Sequence, residues 1–372
     1  MAGGERGMTL VVLIVLSLQL GSLAGMPLAA PRASMTVRPL LTARALAQTT
    51  WRPARPAACR ACATSMSTDD GIALPRVRAT YVASAAATTV AWSLCALRAL
   101  TVHPLIALPP VHNVLTAAGA LSALPIFLAT FAALAAASDA GWKRLSSQTY
   151  RRLNLGLAAA SVWCAAAAVG AAGLSGGRTT YPPSLLAGAL VAHGATAAHC
   201  VRVWSRSLSG RPPTLLRIVR GVLGSLWRLA PTACSDDPDE DRAADGRNEF
   251  ATLTLGFLAG AALSVFAPFP LATVPSFLGR RLSRAYGAWL LLAAVSMFCC
   301  KDAAERGRLN ASTFRMLSGG VAASASFHIA ITVAKLACDD MALYANAIAV
   351  TPASVASLLA YALALGTCTS RR

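Results

Sequence analysis

Charge is scarce in this sequence. Charged residues make up 13% of the 372 positions and hydrophobic residues 56%, whereas about a quarter of a soluble domain is charged. A soluble fold of this composition would lack the polar side chains needed to cover its surface. The alternation of apolar and polar residues that a transmembrane β-barrel requires is also missing. These absences leave an all-α integral membrane protein as the predicted fold class.

Motifs of catalysis and cofactor binding are missing as well. The ten cysteines show no metal-ligand spacing, and no phosphate-binding loop, zinc-protease motif or dinucleotide fingerprint is present. We therefore predict no enzymatic activity, no catalytic residue, no metal and no cofactor. Basic residues outnumber acidic ones by 33 to 15. They flank apolar runs without a soluble binding module, so nucleic acid is not a predicted partner.

Apolar runs long enough to cross a bilayer fill most of the chain. About 20 residues of helix span ~30 Å of hydrocarbon, and a backbone in lipid must satisfy its own hydrogen bonds. The pattern predicts about eight transmembrane helices, at residues 81–100, 114–137, 155–174, 184–204, 251–268, 285–300, 317–336 and 341–365. The lipid bilayer is the predicted surrounding, and the oligomeric state is left open.

The N-terminal segment has the composition of a targeting sequence. Residues 1–24 combine Arg6 with an apolar core and a small-x-small cleavage site, as a signal peptide does. Residues 25–70 are rich in arginine and hold no acid until Asp69, which is typical of a transit peptide. This order resembles the bipartite presequence of nucleus-encoded plastid proteins in algae with complex plastids. The resemblance implies a plastid membrane; the alternative is an arginine-rich arm on a protein of the endoplasmic reticulum or another endomembrane.

An internal repeat is the strongest pattern in the chain. Residues 144–153 read RLSSQTYRRL, and residues 308–317 read RLNASTFRML. Gly156 and Gly320 follow at nearly the same offset. The matching arginine, threonine and aromatic positions lie mainly in predicted loops, where lipid does not enforce similarity. They therefore indicate that one unit has been duplicated.

Each copy of the repeat contains four predicted spans. The two copies cover residues 79–204 and 250–368, and an even number of spans gives both the same orientation. Loop cations support one common face, since basic residues collect on the cytosol-like side of a membrane. The cations assigned to that face are Arg76, Arg78, Lys143, Arg144, Arg151, Arg152, Lys301, Arg306, Arg308, Arg315, Arg371 and Arg372.

A polar linker at residues 205–249 separates the two copies. In residues 215–229 arginines alternate with apolar residues at helical spacing, which predicts an amphipathic helix lying in the membrane interface. Residues 234–241 are acidic and contain a proline, a composition typical of disorder.

The histidines are the first candidates for function, because ionisable groups at membrane depth are costly. His193 and His199 fall in the fourth predicted span and His328 in the seventh, while His103 and His112 flank the first loop. A transport, relay or ligand role is one interpretation. The other is a neutral histidine bonded to a neighbouring helix. Because His193 and His199 are six residues apart, we expect them to point to different faces.

Two carboxylates occupy equivalent helix ends in the two copies. Asp139 is followed four residues later by Lys143, and Asp302 by Arg306, the spacing of a helical ion pair. One interpretation is a duplicated ion or proton relay at the membrane mouth. The other is an interfacial ion pair at the end of each helix.

The repeated arginine motif can bind lipid headgroups or other anions. Its threonines, Thr149 and Thr313, can alternatively cap the start of a helix. The candidate anion-binding residues are Arg144, Arg151, Arg308 and Arg315.

Three functional hypotheses follow. The first is a transporter or channel for an unknown small solute, with a pathway between the two copies. The second is a non-catalytic membrane scaffold or lipid-binding assembly protein. The third is a membrane-embedded cofactor binder or enzyme using His193, His199 or His328.

Overall fold

The computed structural model describes residues 74–101, 117–118, 121–173, 182–208, 249–262 and 277–337. These residues are helical apart from short turns and contain no strand. The helices are α1 (Leu74–Thr101), α2 (Leu124–Asp139), α3 (Trp142–Leu145), α4 (Gln148–Gly173), α5 (Pro183–Arg206), α6 (Glu249–Ala262), α7 (Phe277–Ala304) and α8 (Ser312–Ala337). The predicted presequence, the amphipathic and acidic parts of the linker, the eighth predicted span, His103 and His112 lie outside the described residues.

Four of these helices are long and apolar enough to cross a membrane. They include the segments Leu74–Arg98, Gln148–Val169, Pro183–Arg206 and Gly287–Ala304. Two shorter apolar helices, α2 and α6, accompany them. An all-helical chain with several such segments fits an α-helical membrane protein.

The second predicted span differs from the observed helix. Residues 114–137 were expected to form one continuous helix, but α2 begins at Leu124, after a turn at Ser122 and Ala123. Pro125 lies in the first turn of α2. A proline lacks the backbone N–H of a helix interior and clashes with the preceding turn, so it favours a helix start at this position. The prediction of an unbroken span here was wrong.

Several helices are longer than the apolar runs that predicted them. The first turns of α4 and α8 contain Arg151 and Arg315, which were expected in loops. Likewise α7 begins at Phe277, so Arg280 and Arg281 lie within it. Apolar runs mark the part of a helix within hydrocarbon, whereas a helix can continue into the interfacial region, where cations are tolerated.

Each long helix contacts at least two other helices. Helix α1 contacts α2 and α5, and α4 contacts α5. Two further contacts, of α4 with α7 and of α2 with α8, join the helices of the first predicted repeat to those of the second. Of the four long apolar segments, the one in α7 is the most enclosed by protein. The core between them contains fully buried aromatic and aliphatic side chains, including Tyr81, Phe127, Phe131, Phe257 and Trp289.

The outer faces of the peripheral helices carry apolar side chains. Such exposure is costly in water but suits contact with lipid tails. The exposed large hydrophobic residues on α1, α4, α5 and α6 are Val82, Val90, Leu94, Leu97, Val162, Val169, Leu190, Val191, Val201 and Leu255.

Candidate functional site

A buried ion pair joins α4 to α7. Arg152 Nη1 donates to Asp302 Oδ2, and the two side chains are only 16% and 11% exposed. Arg306 Nη2 lies 3.7 Å from the same carboxylate oxygen, so the predicted pairing of Asp302 with the residue four positions later is confirmed. The Arg152 guanidinium also stacks over the Phe298 ring, 4.5 Å from its centroid. One carboxylate thus contacts two arginines, one on α4 and one in the turn that follows α7.

Asp139 does not have the equivalent arrangement. Its Oδ2 lies 3.4 Å from Arg78 Nε on α1, and both side chains are about half exposed. Helix α2 ends at Asp139, and Gly141 follows with a φ of 101°, so Lys143 belongs to the separate helix α3. The helical pair of Asp139 with Lys143 was therefore a wrong prediction, because a glycine in this conformation turns the chain before the next helical turn forms.

A second polar contact joins α4 to α8. The hydroxyls of Tyr150 on α4 and Thr313 on α8 lie 2.8 Å apart, and Arg144 Nε donates to Tyr150 Oη at 3.2 Å. Thr313 was considered as a helix cap, yet it lies inside the first turn of α8 and its hydroxyl bonds across the interface. Together, Tyr150, Arg152, Asp302, Arg306 and Thr313 are called the interface cluster.

A buried tyrosine and asparagine connect the interface cluster to the first helix. Tyr81 Oη donates to Asn154 Oδ1 at 2.6 Å, and Asn154 Nδ2 donates to the Tyr150 carbonyl at 3.0 Å. Both side chains are almost completely buried. No sequence pattern predicted this pair. Its one local signal was an asparagine directly before an apolar run, where a polar side chain needs a partner on another helix.

The interface cluster combines opposite charges with a net excess of cations. Lys301, on the same turn as Asp302, is 4% exposed and donates to Glu305 Oε1 at 2.6 Å. With Arg152 and Arg306 this makes three cations against the two carboxylates Asp302 and Glu305. Charges in a low-dielectric interior attract strongly but are costly to separate from partners. The arrangement can hold the helices together while its pairs are intact and weaken their contact when a pair breaks.

The three membrane-depth histidines lie against aromatic rings. The His193 ring centroid is 6.0 Å from that of Trp92 and 6.2 Å from that of Phe127. His199 lies edge-on to Tyr81 at 4.7 Å, so both histidines contact α1 although different faces were expected. On α8, the His328 ring centroid lies 5.9 Å from that of Trp289 on α7. The described residues contain no group of three or more potential metal ligands.

The four candidate anion-binding arginines divide into two kinds. Arg144 and Arg151 make hydrogen bonds within the protein, to Tyr150 Oη and to the Ser146 carbonyl, respectively. Arg308 and Arg315 are exposed. The second pair therefore fits headgroup contact better than the first, because a guanidinium already bonded to protein has fewer donors left.

Two glycines allow pairs of helices to approach closely. A Cβ added at Gly156 on α4 would lie 2.8 Å from Val295 Cγ1 on α7. A Cβ added at Gly320 on α8 would lie 2.5 Å from Ala129 Cβ on α2. These are the two glycines matched in the predicted sequence repeat, and each lies where α4 meets α7 or α8 meets α2.

No protein-family model matches this chain, and no curated protein matches it significantly.

Proposed function

We propose that this protein is a transporter or channel for a small solute, with eight spans in two four-helix units of the same orientation. The observation that carries the proposal is the interface cluster, where the largely buried pair of Arg152 and Asp302 joins α4 to α7 and the half-exposed Arg306 contacts the same carboxylate. Ionisable groups buried at membrane helices are costly, and in membrane proteins they often mark ion or substrate pathways. No catalytic role is proposed for these groups.

The pattern of helix contacts supports the duplication within this proposal. If the units are equivalent, α2 corresponds to α7 and α4 to α8. The contact of α2 with α8 then corresponds to the contact of α7 with α4, and both contacts occur. Gly156 and Gly320 occupy matching places in these two contacts. Such pairwise exchange is expected of two parallel repeats related by an axis along the membrane normal.

In the proposed mechanism, the interface cluster closes one end of the contact between the units. By the loop charges, this end faces the cytosol-like side. A solute can pass here only after α4 separates from α7 and α8. Separation breaks the bond of Arg152 to Asp302 and the bond of Tyr150 to Thr313. Rocking of one repeat against the other supplies such a movement in known parallel-repeat transporters.

Uptake of a labelled metabolite mixture tests the proposal. Sealed proteoliposomes containing the full chain are incubated with a uniformly ¹³C-labelled algal extract, and retained solutes are identified by mass spectrometry. We expect accumulation of a defined solute above protein-free vesicles. The Asp302→Asn variant should lower the retained solute about tenfold at unchanged protein abundance, because the end that the Arg152–Asp302 pair holds closed would then leak accumulated solute.

Asp139→Asn is the matched control, because the same change removes an exposed pair with Arg78. Exposed pairs contribute little, so uptake should stay close to that of the unaltered chain. Equal loss of uptake in both variants, or the absence of any solute above protein-free vesicles, would contradict the proposal.

The close glycine contacts favour a second candidate, a non-catalytic membrane assembly protein. Gly156 and Gly320 bring the units together without space for a side chain, as in helix pairs that associate permanently. This function predicts that the chain co-purifies with partner proteins in stoichiometric amounts, and that Asp302→Asn leaves both partner binding and solute retention unchanged.

For the location, we propose a plastid membrane of an alga with complex plastids, on the resemblance of residues 1–70 to a bipartite presequence. Residues 1–70 fused to a fluorescent reporter should reach the plastid interior. A reporter retained in the endoplasmic reticulum or secreted would place the protein in the endomembrane system and leave the transport proposal standing.

A further inference from the structure

Several buried polar side chains in the described part of the chain have no hydrogen-bond partner, and three of them lie on α1 and α5 near one aromatic contact. They are Thr88 and Trp92 on α1 and His193 on α5, with unpartnered Oγ1, Nε1 and Nδ1 atoms, respectively. Their exposures are 1%, 8% and 3%. Buried polar atoms without partners are rare in native proteins, and each requires an explanation such as a bound molecule. At membrane depth, bulk water does not supply the missing partner.

The three side chains lie close together. Thr88 and Trp92 are four residues apart on α1 and therefore share one face of that helix. The His193 ring lies edge-on to the Trp92 indole at 6.0 Å between centroids, and Phe127 on α2 closes the other side of the imidazole at 6.2 Å. Three helices thus converge on one small region with polar atoms and aromatic rings.

Thr88 differs from three other threonines on the described helices. The hydroxyls of Thr89, Thr130 and Thr196 each donate to the backbone carbonyl four residues earlier, at 2.8 Å. This bond satisfies a threonine within its own helix. The Thr88 hydroxyl makes no such bond, so it is available to another molecule.

The chemistry of the three groups defines the ligand. The Trp92 indole N–H can only donate, the Thr88 hydroxyl can donate, and His193 Nδ1 can donate or accept. Along α1, α2 and α5, no residue within one turn of Thr88, Trp92, Phe127 or His193 is charged, so an ion would lack a counter-charge from those turns. A ligand with a hydrogen-bond acceptor and an apolar body satisfies both the donors and the rings.

We propose that Thr88, Trp92 and His193 form a binding site for a small uncharged molecule with a carbonyl or hydroxyl oxygen. The site shares no residue with the interface cluster and does not depend on the proposed transport. The oxygen accepts hydrogen bonds from Trp92 and Thr88, His193 Nδ1 completes the polar contacts, and Phe127 borders the apolar part.

Acetone and isobutene provide a matched pair of probes. They have nearly the same shape, but only acetone carries an oxygen acceptor. The full chain is reconstituted in nanodiscs with ¹⁵N-labelled indole, and the Trp92 signal is assigned by its loss in Trp92→Phe. Acetone should shift the Trp92 indole signal saturably, and isobutene should not. A linear shift without saturation, or an equal response to isobutene, would overturn the proposal. Either result would mean that the Trp92 region does not bind an oxygen acceptor specifically.

Two variants separate binding from general packing. Thr88→Val conserves shape and should weaken the acetone response about tenfold, because one hydrogen bond is removed. Thr130→Val, which removes a hydroxyl bonded within its own helix, should leave the response unchanged. His193→Phe should also weaken the response. If His193→Phe fails to fold, the Thr88→Val comparison decides, and an undiminished acetone response in Thr88→Val refutes the site.

Discussion

Arg152 differs from the other arginines of the repeated motif in its surroundings. Its guanidinium lies between Asp302 and the Phe298 ring and is largely buried. The exposed Arg315, seven residues after Arg308 in the second copy of the motif, projects from the first turn of α8. We therefore expect Arg152 to contribute more to the stability of the protein than Arg315.

Replacing Arg152 with glutamine should destabilise the protein strongly. The change leaves the Asp302 carboxylate with only the more distant Arg306, and breaking a buried ion pair costs about 3–5 kcal/mol. Arg315→Gln should change the free energy of unfolding by less than about 0.5 kcal/mol. Reversible unfolding in mixed micelles measures both. Similar losses in the two variants would show that Arg152 is not stabilised by its buried partner.

Sequence patterns predict contacts within a helix better than contacts between helices. The pair of Asp302 with Arg306 followed from a four-residue spacing. The pairing of Asp139 was wrong because Gly141 ends that helix before the expected partner. The bond of Tyr81 to Asn154 joins positions 73 residues apart, and no local spacing indicates which distant polar groups will meet.

Among the helices, α7 and α8 are connected by a turn that the sequence marks with glycine. The Gly307 N–H donates to the Ala304 carbonyl, and the Arg308 N–H donates to the Ala303 carbonyl. With a φ of 62° at Gly307, this is a Schellman motif, which ends a helix in the left-handed conformation. The exposed turn that follows brings α8 back along α7.

Adjacent glycines on α8 provide a test of the contact between α2 and α8. Gly320→Ala places a Cβ 2.5 Å from Ala129 Cβ, whereas a Cβ at Gly319 meets nothing within 4 Å. Gly320→Ala should therefore cost about 1–3 kcal/mol by overpacking. Gly319→Ala should be neutral or stabilising by up to about 1 kcal/mol, because alanine favours helix over glycine.

Thermal unfolding of the two alanine variants in the same detergent measures this difference. The same direction of change at Gly156→Ala would extend the result to the α4–α7 contact. A lower midpoint in Gly319→Ala than in Gly320→Ala would mean that α2 and α8 do not approach closely at Gly320.

The existence of most helices could be predicted, but their ends could not. Apolar runs found the cores of α1, α4, α5, α7 and α8. They did not predict where α2 begins, because Pro125 defines a later start. They also did not predict where α4 begins, because its first turn is polar. Hydropathy reports the part of a helix that lies in lipid, whereas helix ends depend on proline, glycine and capping contacts.

At the scale of the whole molecule, the proposed duplication makes a topological prediction. Ser147 precedes α4 and Asn310 precedes α8, and both are exposed. Cysteines introduced at these positions should react with an impermeant maleimide from the same side of sealed, uniformly oriented vesicles. A cysteine at Ser184, near the start of α5, should react from the opposite side. The unaltered chain gives the background from native cysteines.

Same-side reaction of Ser147→Cys and Asn310→Cys supports parallel units, because an even number of spans then separates them. Reaction from opposite sides would require an odd number of spans between the two positions. The units would then be inverted relative to each other, and the mechanism of parallel rocking would be excluded.

The enclosure of α7 has a consequence for biogenesis. A chain that enters a membrane N-terminus first inserts α4 before its partner α7 arrives. Until then, Arg152 lacks Asp302, but its place in the second turn of α4 lets the guanidinium extend to water at the headgroups. When α7 arrives, it meets a surface already formed by α2 and α4. Assembly can therefore proceed in the order of insertion without leaving a charged side chain stranded in hydrocarbon.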